Sequence, residues 1–238
     1  MATSSEFVVR SAVLTVKRRE GMQRYKTFWA AILIGGLVGG GEFGAMAAVG
    51  PATEAVRKTV DEVIRILEDP EWKKPEKKEE RRKLLEQTIA QRFNFLEMSR
   101  RALGAEWNKR TPEEQKDFAA SFQTLLANTY LGRIETYSGG EKVQYLKEIV
   151  DGEYADVYTK LDNGKMTVDI TYKMEMASGD WRVYDVVVEG TGLVQNYREQ
   201  FKRILRKDSF AELTKQLREK AEHVKAAVPA GADSARSQ

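Results

Sequence analysis

Residues 165–176, KMTVDITYKMEM, decide the fold, because apolar and polar side chains alternate along them without interruption. A period of two places every second side chain on the same face of an extended chain. The pattern therefore predicts a β-strand with one face buried and the other in water. The buried face would carry Met166, Val168, Ile170, Tyr172, Met174 and Met176.

The segments on either side of this strand predict a meander of four antiparallel strands. Residues 162–164, Asp-Asn-Gly, are a hairpin signal, since Asn-Gly readily adopts the positive φ angles that tight turns require. Strand-like sequence stands before this turn at 154–161 and, further upstream, at 141–150. It stands again at 181–190, after a second glycine-containing turn. Because each connection is short, consecutive strands are expected to pair as neighbours.

Helices are predicted before and after the sheet. Residues 51–67 place apolar side chains three and four positions apart, which gives one buried stripe. A longer helix is predicted from Thr111, whose side chain can cap it while Glu114 reaches back, the pattern called a capping box. The chain after the sheet shows the same helical spacing at 193–204. The buried stripe of the longer helix comprises Phe118, Phe122, Leu125, Leu126 and Tyr130.

Together these elements predict an α+β fold, with helices packed on the apolar face of a four-stranded antiparallel sheet. A single domain is expected over 48–225, and the charged, proline-broken stretch 68–83 is interpreted as a solvated loop. The core is either completely filled, or an apolar cavity separates the sheet from the helices. The methionines of the central strand weakly favour the cavity, because their flexible side chains can pack around an irregular apolar guest. The expected parts are helical over 51–137, sheet over 141–189, helical over 192–224 and a disordered tail over 226–238.

The N-terminal part of the chain has the layout of a secretory signal peptide. A basic start at 24–26 precedes an apolar run at 28–38, and small residues then lead to Ala47, the expected cleavage point. An uncleaved anchor is the alternative, although about 11 apolar residues are few for a hydrocarbon core of about 30 Å. Residues 1–21 are interpreted as an upstream extension, since Met22 could also start translation.

Composition argues against several classes of function. Six of the 39 basic residues and three of the 36 acidic residues lie in 1–47, which leaves 33 of each in the body and gives nucleic-acid binding no support. The chain has no cysteine, which removes thiol nucleophiles, redox pairs and thiolate zinc sites. A single histidine, His223, leaves few arrangements for general-base catalysis or metal binding. We therefore expect no catalytic residue, metal ligand or cofactor.

Two blocks of the chain resemble the MlaC family, also called the toluene-tolerance auxiliary components of ABC transporters. The first, 92–146, begins RFNFLEMSRRALGAEW, and the second, WRVYDVVVEGTGLVQNYREQF, covers 181–201. The resemblance extends over almost the whole body of the chain, 50–220. The most specific matches are Arg92-Phe93, Arg101 to Gly104, Trp107, Thr129 to Ile134 and the block 183–201.

The resemblance implies a function. Members of this family are soluble periplasmic carriers that shuttle phospholipid between an inner-membrane ABC transporter complex and an outer-membrane lipoprotein complex, and so maintain outer-membrane lipid asymmetry. The resemblance also implies a curved sheet similar to that of nuclear transport factor 2. Acyl chains would lie in an apolar cavity between sheet and helices, with the head group near solvent. We therefore expect an exported, periplasmic lipid carrier and no enzyme.

The expected site combines this resemblance with the apolar stripes. Tyr130 and Leu131 stand near the end of the long helix and are expected to line or close the cavity, with Arg133 at the head-group rim. An ion pair of Arg133 with Glu135 or Glu189 is the alternative. The expected lipid-binding residues, for which ordinary core packing is the alternative, are Phe122, Leu126, Tyr130, Leu131, Val168, Ile170, Tyr172, Tyr197 and Phe201.

Three further interpretations stay open. Another apolar lipid such as a hopanoid could be the cargo, and a periplasmic scaffold without cargo is conceivable. An enzyme on a similar cone-shaped fold would need an acid or base in its pocket, for which Asp156, Asp169 and Asp185 are the strand candidates. Asp185 lies within an apolar strand and is more readily explained by an ion pair, with Arg198 as a candidate partner.

Overall fold

The computed structural model covers the body of the chain. The residues that it describes are 50–135, 137, 139–162, 164 and 166–227; for Arg133 and Ala227 it describes the backbone alone. The predicted signal peptide and the predicted tail beyond Ala227 lie outside these residues. Within them, no helix combines the length and the apolar character needed to cross a bilayer.

The sheet is an open meander of five antiparallel strands, each paired with its neighbours in the chain. Its four long strands lie where the alternation predicts them, which confirms the α+β fold. The fifth strand was not predicted, because two residues are too few to show a periodicity. The strands are β1 (Lys142–Asp151), β2 (Tyr154–Asp162), β3 (Thr167–Ala177), β4 (Asp180–Val188) and β5 (Thr191–Gly192).

Six α-helices accompany this sheet in the described part of the chain. The second begins at Lys78, inside the stretch interpreted above as a solvated loop, so that interpretation is wrong for its last six residues. The last helix continues to Ala227, past the expected end at 224. The helices are α1 (Pro51–Glu68), α2 (Lys78–Arg92), α3 (Phe95–Leu103), α4 (Pro112–Ile134), α5 (Leu193–Leu205) and α6 (Phe210–Ala227).

The start of α4 is the capping box that the sequence predicts. The N–H of Thr111 donates to Glu114 Oε2 at 2.9 Å, and the N–H of Glu114 donates to Thr111 Oγ1 at 3.2 Å. Two N–H groups that a helix start leaves without intrahelical partners are thereby satisfied. The helix then continues for 23 residues, or about 35 Å, so its two halves can pack in different surroundings.

The N-terminal half of α4 is held to α5 and α6 by an aromatic cluster. The rings of Phe118 and Phe122 lie 5.5 and 5.4 Å from that of Phe201, both at steep angles. Tyr197 lies 4.9 Å from Phe122, and Phe210 lies 5.7 Å from Phe118. Such aromatic pairs contribute about 0.5–1.5 kcal/mol each beyond the area that they bury. The three helices therefore form a stiff unit.

Helix α1 packs on the sheet and is tied to its edge strand. Gly50 precedes this helix and offers no capping side chain, so the N–H groups of the first turn need another acceptor. Glu148 of β1 provides one, because its Oε2 accepts from both the N–H and the hydroxyl of Thr53 at 2.7 Å. The negative charge also suits the positive end of the helix dipole.

The carboxylate of Asp185 joins the sheet to α5, which corrects the expected ion pair with Arg198. Its Oδ1 accepts from the N–H of Val186 at 2.8 Å and from the N–H of Val194, in the first turn of α5, at 2.9 Å. Burial raises the pKa of the Asp185 carboxyl, although these two hydrogen bonds oppose the rise. Since Gly192 precedes α5 and cannot cap it, a strand residue supplies the cap.

We expect Asp185→Ala to lower the free energy of unfolding by about 1–3 kcal/mol, because two N–H groups lose their acceptor. Asp185→Asn keeps an acceptor oxygen and cannot ionise. A raised pKa means that Asp185 stabilises the fold fully below its ordinary pKa of about 3.9 and loses that contribution as the pH rises through the folded-state value.

Denaturant unfolding between about pH 3 and pH 7 measures this effect. The stability of the wild-type protein should fall relative to that of Asp185→Asn as the pH rises. A difference that stays constant across this range would contradict the raised pKa.

Candidate functional site

An apolar cavity lies between α2 and α4, against β4 and next to α3. The largest share of its wall, six of 13 lining residues, comes from the C-terminal half of α4, the half that the aromatic cluster leaves free. Glu86 and Gln123 are the strongly polar side chains among the described residues that line it. The full lining is Glu86, Ile89, Phe93, Phe95, Met98, Gln123, Leu126, Ala127, Tyr130, Leu131, Ile134, Val186 and Leu193.

The cavity is small in this structure. Its volume is about 60 Å³, and the whole cleft, including the space open to solvent, measures about 550 Å³. For comparison, an apolar cavity of about 150 Å³ accommodates one benzene molecule. The cavity in this structure is therefore too small for a long hydrocarbon chain. A larger guest requires that one wall move away from the others.

Helix α2 is the wall with the weakest anchoring. Leu85 is the one fully buried side chain among its 15 residues, whereas α1 buries ten of 18. Leu84 and Ile89 are only partly buried against the core. Because a fully buried apolar side chain contributes about 1.5–3 kcal/mol, α2 gains much less from packing than α1 does.

The N-terminal end of α2 is held to α4 by a polar cluster, here called the arginine clasp, which comprises Arg81, Arg82, Asn128 and Glu135. Arg82 donates to Glu135 Oε2 at 3.2 Å and to Asn128 Oδ1 at 3.1 Å, and Arg81 donates to Glu135 Oε1 at 3.4 Å. Asn128 in turn donates to the carbonyl oxygen of Ala221 on α6 at 3.0 Å. The clasp thus closes one end of the gap between α2 and α4.

The polar rim of the cavity lies beyond the clasp. Glu86 on α2 and Gln123 on α4 are both partly exposed, so they mark where the cavity meets solvent. They could hold a polar group at the mouth. No cluster of three or more His, Asp or Glu side chains suited to a metal ion occurs in the described part of the chain.

Three of the nine predicted wall residues line the cavity, namely Leu126, Tyr130 and Leu131. All three lie on the C-terminal half of α4, where the resemblance places the corner of the site. Arg133 belongs to the same helix, but its side chain lies outside the described residues. Its place at the rim stays a prediction.

The other six predicted wall residues lie in the packed core rather than on the cavity. Burial at this depth raises the pKa of the Tyr172 hydroxyl, whose side chain is 1% exposed. Contact of these residues with a bound molecule stays a prediction for a more open state. They are Phe122, Tyr197 and Phe201 in the aromatic cluster, and Val168, Ile170 and Tyr172 on the inner face of β3.

Sequence reasoning missed the part of the wall between α2 and α3. Phe93 forms an isolated bridge with Val183 of β4 and stacks on Phe95 with ring centroids 5.9 Å apart. Asn94 between them caps α3, accepting from Glu97 N–H at 3.1 Å. Phe93 and Phe95 belong to the first block that resembles the family. Periodicity could not identify them as wall residues, because two aromatic residues on either side of the capping Asn94 form no helical or strand pattern.

The strand aspartates considered for catalysis do not line the cavity. Asp156 pairs with Lys173 at 2.8 Å, and the side chain of Asp169 is 69% exposed. Asp185 is occupied as the cap of α5. The described residues therefore form an apolar shelter with a polar rim, without a pair of groups arranged for general acid or base chemistry.

Comparison with known proteins places the chain in a family. Residues 57–219 match the family described as MlaC protein. The toluene tolerance protein Ttg2D of Pseudomonas putida is 28% identical over 94 residues, which cover 39% of this chain and 44% of that protein. The intermembrane phospholipid transport system binding protein MlaC of Haemophilus influenzae is 22% identical over 126 residues, 51% of this chain and 59% of that one. The chain spans about half the length of these curated relatives.

A solved structure agrees with this assignment. The phospholipid-binding protein from Ralstonia solanacearum, solved in complex with a phospholipid at 1.53 Å resolution, has a TM-score of 0.65 and 26% sequence identity to this chain. The similarity covers 74% of this chain and 99% of that one. Since the family match covers more than half of its residues, the chain belongs to the MlaC family.

Proposed function

We propose that the protein is a phospholipid carrier that shelters acyl chains between α2, α4 and the sheet. The observation that carries this proposal is the apolar cavity with its polar rim. The Ralstonia solanacearum protein, which has the same fold, was solved with a phospholipid, and the Haemophilus influenzae relative is named for phospholipid transport between membranes. A carrier requires no catalytic group, in keeping with the occupied or exposed strand aspartates.

The driving force for loading is the burial of hydrocarbon. Each methylene that leaves water contributes about 0.8 kcal/mol, so even part of one acyl chain gives a large favourable term. A phosphate-bearing head group is costly to bury and would stay at the rim, near Glu86 and Gln123. A carrier must also release its cargo, so some of this gain has to be offset by the cost of opening the wall.

Loading needs a wall that can move, and α2 is the candidate. Its few buried side chains make its displacement less costly than that of α4, which the aromatic cluster and its contacts with α6 hold in place. In an open state, the buried residues of β3 and the aromatic cluster could reach the acyl chains. This explains how a cavity too small in the closed state could still serve a lipid carrier.

The location and partners of the protein follow from the same proposal. We propose that it is exported to the periplasm by its N-terminal leader and shuttles phospholipid between an inner-membrane ABC transporter complex and an outer-membrane lipoprotein complex. Its role would be to maintain the lipid asymmetry of the outer membrane. The leader-like sequence and the name of the Haemophilus influenzae relative support this placement.

Native mass spectrometry of the purified protein, followed by solvent extraction, tests the proposal. Co-purified phospholipid, or its uptake from liposomes, is the expected result. Extraction of a hopanoid or another sterol-like lipid instead would replace phospholipid as the cargo. A protein that carries nothing and takes up nothing would exclude the carrier function.

Filling the cavity should reduce lipid binding. Ala127 lines the cavity on α4, so Ala127→Phe places a ring where an acyl chain would lie. Displacing about three methylenes, at about 0.8 kcal/mol each, should raise the Kd for phospholipid at least 10-fold. Liposome uptake followed by lipid quantification measures the change.

Ala120→Phe is the matched control, because Ala120 lies on the same helix and is exposed. It should leave lipid uptake unchanged. Equal loss in both variants, with melting temperatures like that of the wild type, would show that the cavity is not where the lipid lies.

Hydrogen exchange should identify the moving wall. Amides of α2 should exchange about 10-fold or more faster than those of α4, because local opening is easiest where few apolar contacts are buried. Loading with phospholipid should slow exchange in α2 more than in α1. Uniform protection of α2 and α4 in the lipid-free protein would assign the opening to another element.

A further inference from the structure

The arginine clasp has more positive charge than its own carboxylate can balance. Arg81 and Arg82 share the single carboxylate of Glu135, and their side chains are only 17% and 15% exposed, while that of Glu135 is 10% exposed. The Nε of Arg81 is buried and has no hydrogen-bond acceptor among the described residues. The two guanidinium groups and the Glu135 carboxylate together carry a net charge of about +1, and Arg81 Nε–H is a donor without an acceptor among the described residues.

The clasp adjoins the cavity on both helices. Asn128 and Leu131 on α4 and Glu135, which directly follows that helix and donates its N–H to the Leu131 carbonyl oxygen, are spaced three and four residues apart and share one face; Leu131 lines the cavity. On α2, Arg82 lies one turn before Glu86, which also lines the cavity. The four clasp residues do not line the cavity themselves, but Glu86 and Leu131, which do, lie about one helical turn from Arg82 and Glu135.

The charged segment around the clasp is almost balanced, since residues 68–83 carry seven basic and six acidic residues. Lys74 and Lys77 pair with Glu71 and Glu80 on the surface, whereas the clasp arginines turn toward α4. The unbalanced positive charge at this end of the gap is therefore that of the clasp arginines themselves.

We propose that Arg81 and Arg82 form a phosphate site, which takes the phosphate of a bound phospholipid in exchange for the carboxylate of Glu135. This inference rests on the carrier function proposed above. In the lipid-free protein Glu135 occupies the site and holds α2 against α4. In the loaded protein the phosphate occupies it, and Glu135 turns to solvent at the end of α4.

The exchange is physically reasonable because the number of charge pairs does not change. Leaving either guanidinium without an anion in a partly buried place would be costly, so the empty protein needs an internal substitute. The planar guanidinium fork suits a phosphate as well as a carboxylate, and it can bind two phosphate oxygens at once. Acyl-chain burial then supplies the net driving force, and the exchange couples loading to release of α2.

The test compares a lipid with a phosphate and a lipid without one. Dioleoylphosphatidylglycerol and dioleoylglycerol are each delivered to the purified protein from cyclodextrin complexes, and the Kd is measured for both. Arg81→Gln/Arg82→Gln should raise the Kd for the phospholipid about 10- to 100-fold, as expected for lost hydrogen bonds to a charged group. The Kd for dioleoylglycerol should stay unchanged.

Glu135→Gln should have the opposite effect, because it frees both arginines for the phosphate. It should lower the Kd for the phospholipid and leave that for dioleoylglycerol unchanged. Where the double arginine variant is unstable, Arg81→Gln/Arg82→Gln/Glu135→Gln removes all three charges together and leaves none unpaired. Arg65→Gln/Arg100→Gln is the matched control, because both arginines are largely exposed and paired within their own helices.

Equal loss of both lipids in the arginine variants would overturn the proposal, since a purely structural clasp would act on any cargo. Inorganic phosphate distinguishes a free-anion site from a head-group site. It should raise the melting temperature of Glu135→Gln but not that of the wild type, relative to sodium chloride of equal ionic strength. Stabilisation of the wild type by phosphate, with unchanged lipid Kd in the arginine variants, would assign the site to free phosphate and overturn the lipid assignment.

Failure of the carrier function gives a different result. A wild-type protein that binds neither lipid would refute the carrier and with it the head-group assignment. The response of Glu135→Gln to inorganic phosphate would still report whether the two arginines bind an anion.

Discussion

The apolar inner face of the sheet must be covered by helices. How firmly each helix is anchored to the sheet determines which of them can move. Two helices are fixed to the sheet by carboxylates at their first turns, α1 through Glu148 and α5 through Asp185. The aromatic cluster fixes α4 and α6 to α5. Among the helices of the described residues, α2 covers its share of the core with a single fully buried side chain, Leu85, and the polar clasp.

This division suits a reversible carrier. Acyl chains leave water with a large gain in free energy, so a rigid, preformed cavity would bind them too tightly to release them. A cavity that is nearly closed when empty offsets part of that gain by the work of moving α2. In the exchange proposed above, the clasp would control the opening of α2 from a position close to the head group.

The fold could be predicted from the sequence because its signals are local. The alternation along β3 and the pairing of Thr111 with Glu114 each involve neighbours in the chain, and both are found in the structure. The prediction is wrong for Met176, which is exposed near the end of the strand, where the cover of the sheet stops. The site could not be predicted to the same extent, because it is made by contacts between distant segments. Arg81 and Glu135 are 54 positions apart, and in the sequence the arginine belongs to a charged run typical of a solvated surface. The clasp becomes visible only when α2 packs on α4.

The modest share of α2 in the core has a consequence for how such carriers diversify. Substitutions in a helix that contributes little to folding stability are tolerated more readily than substitutions in the sheet or the aromatic cluster. The two lining residues that α2 contributes, Glu86 and Ile89, can therefore change while the remaining scaffold stays intact. Substitutions on the solvent-facing and cleft-facing sides of α2 should accordingly lower the solubility and yield of the protein less than substitutions elsewhere in the fold.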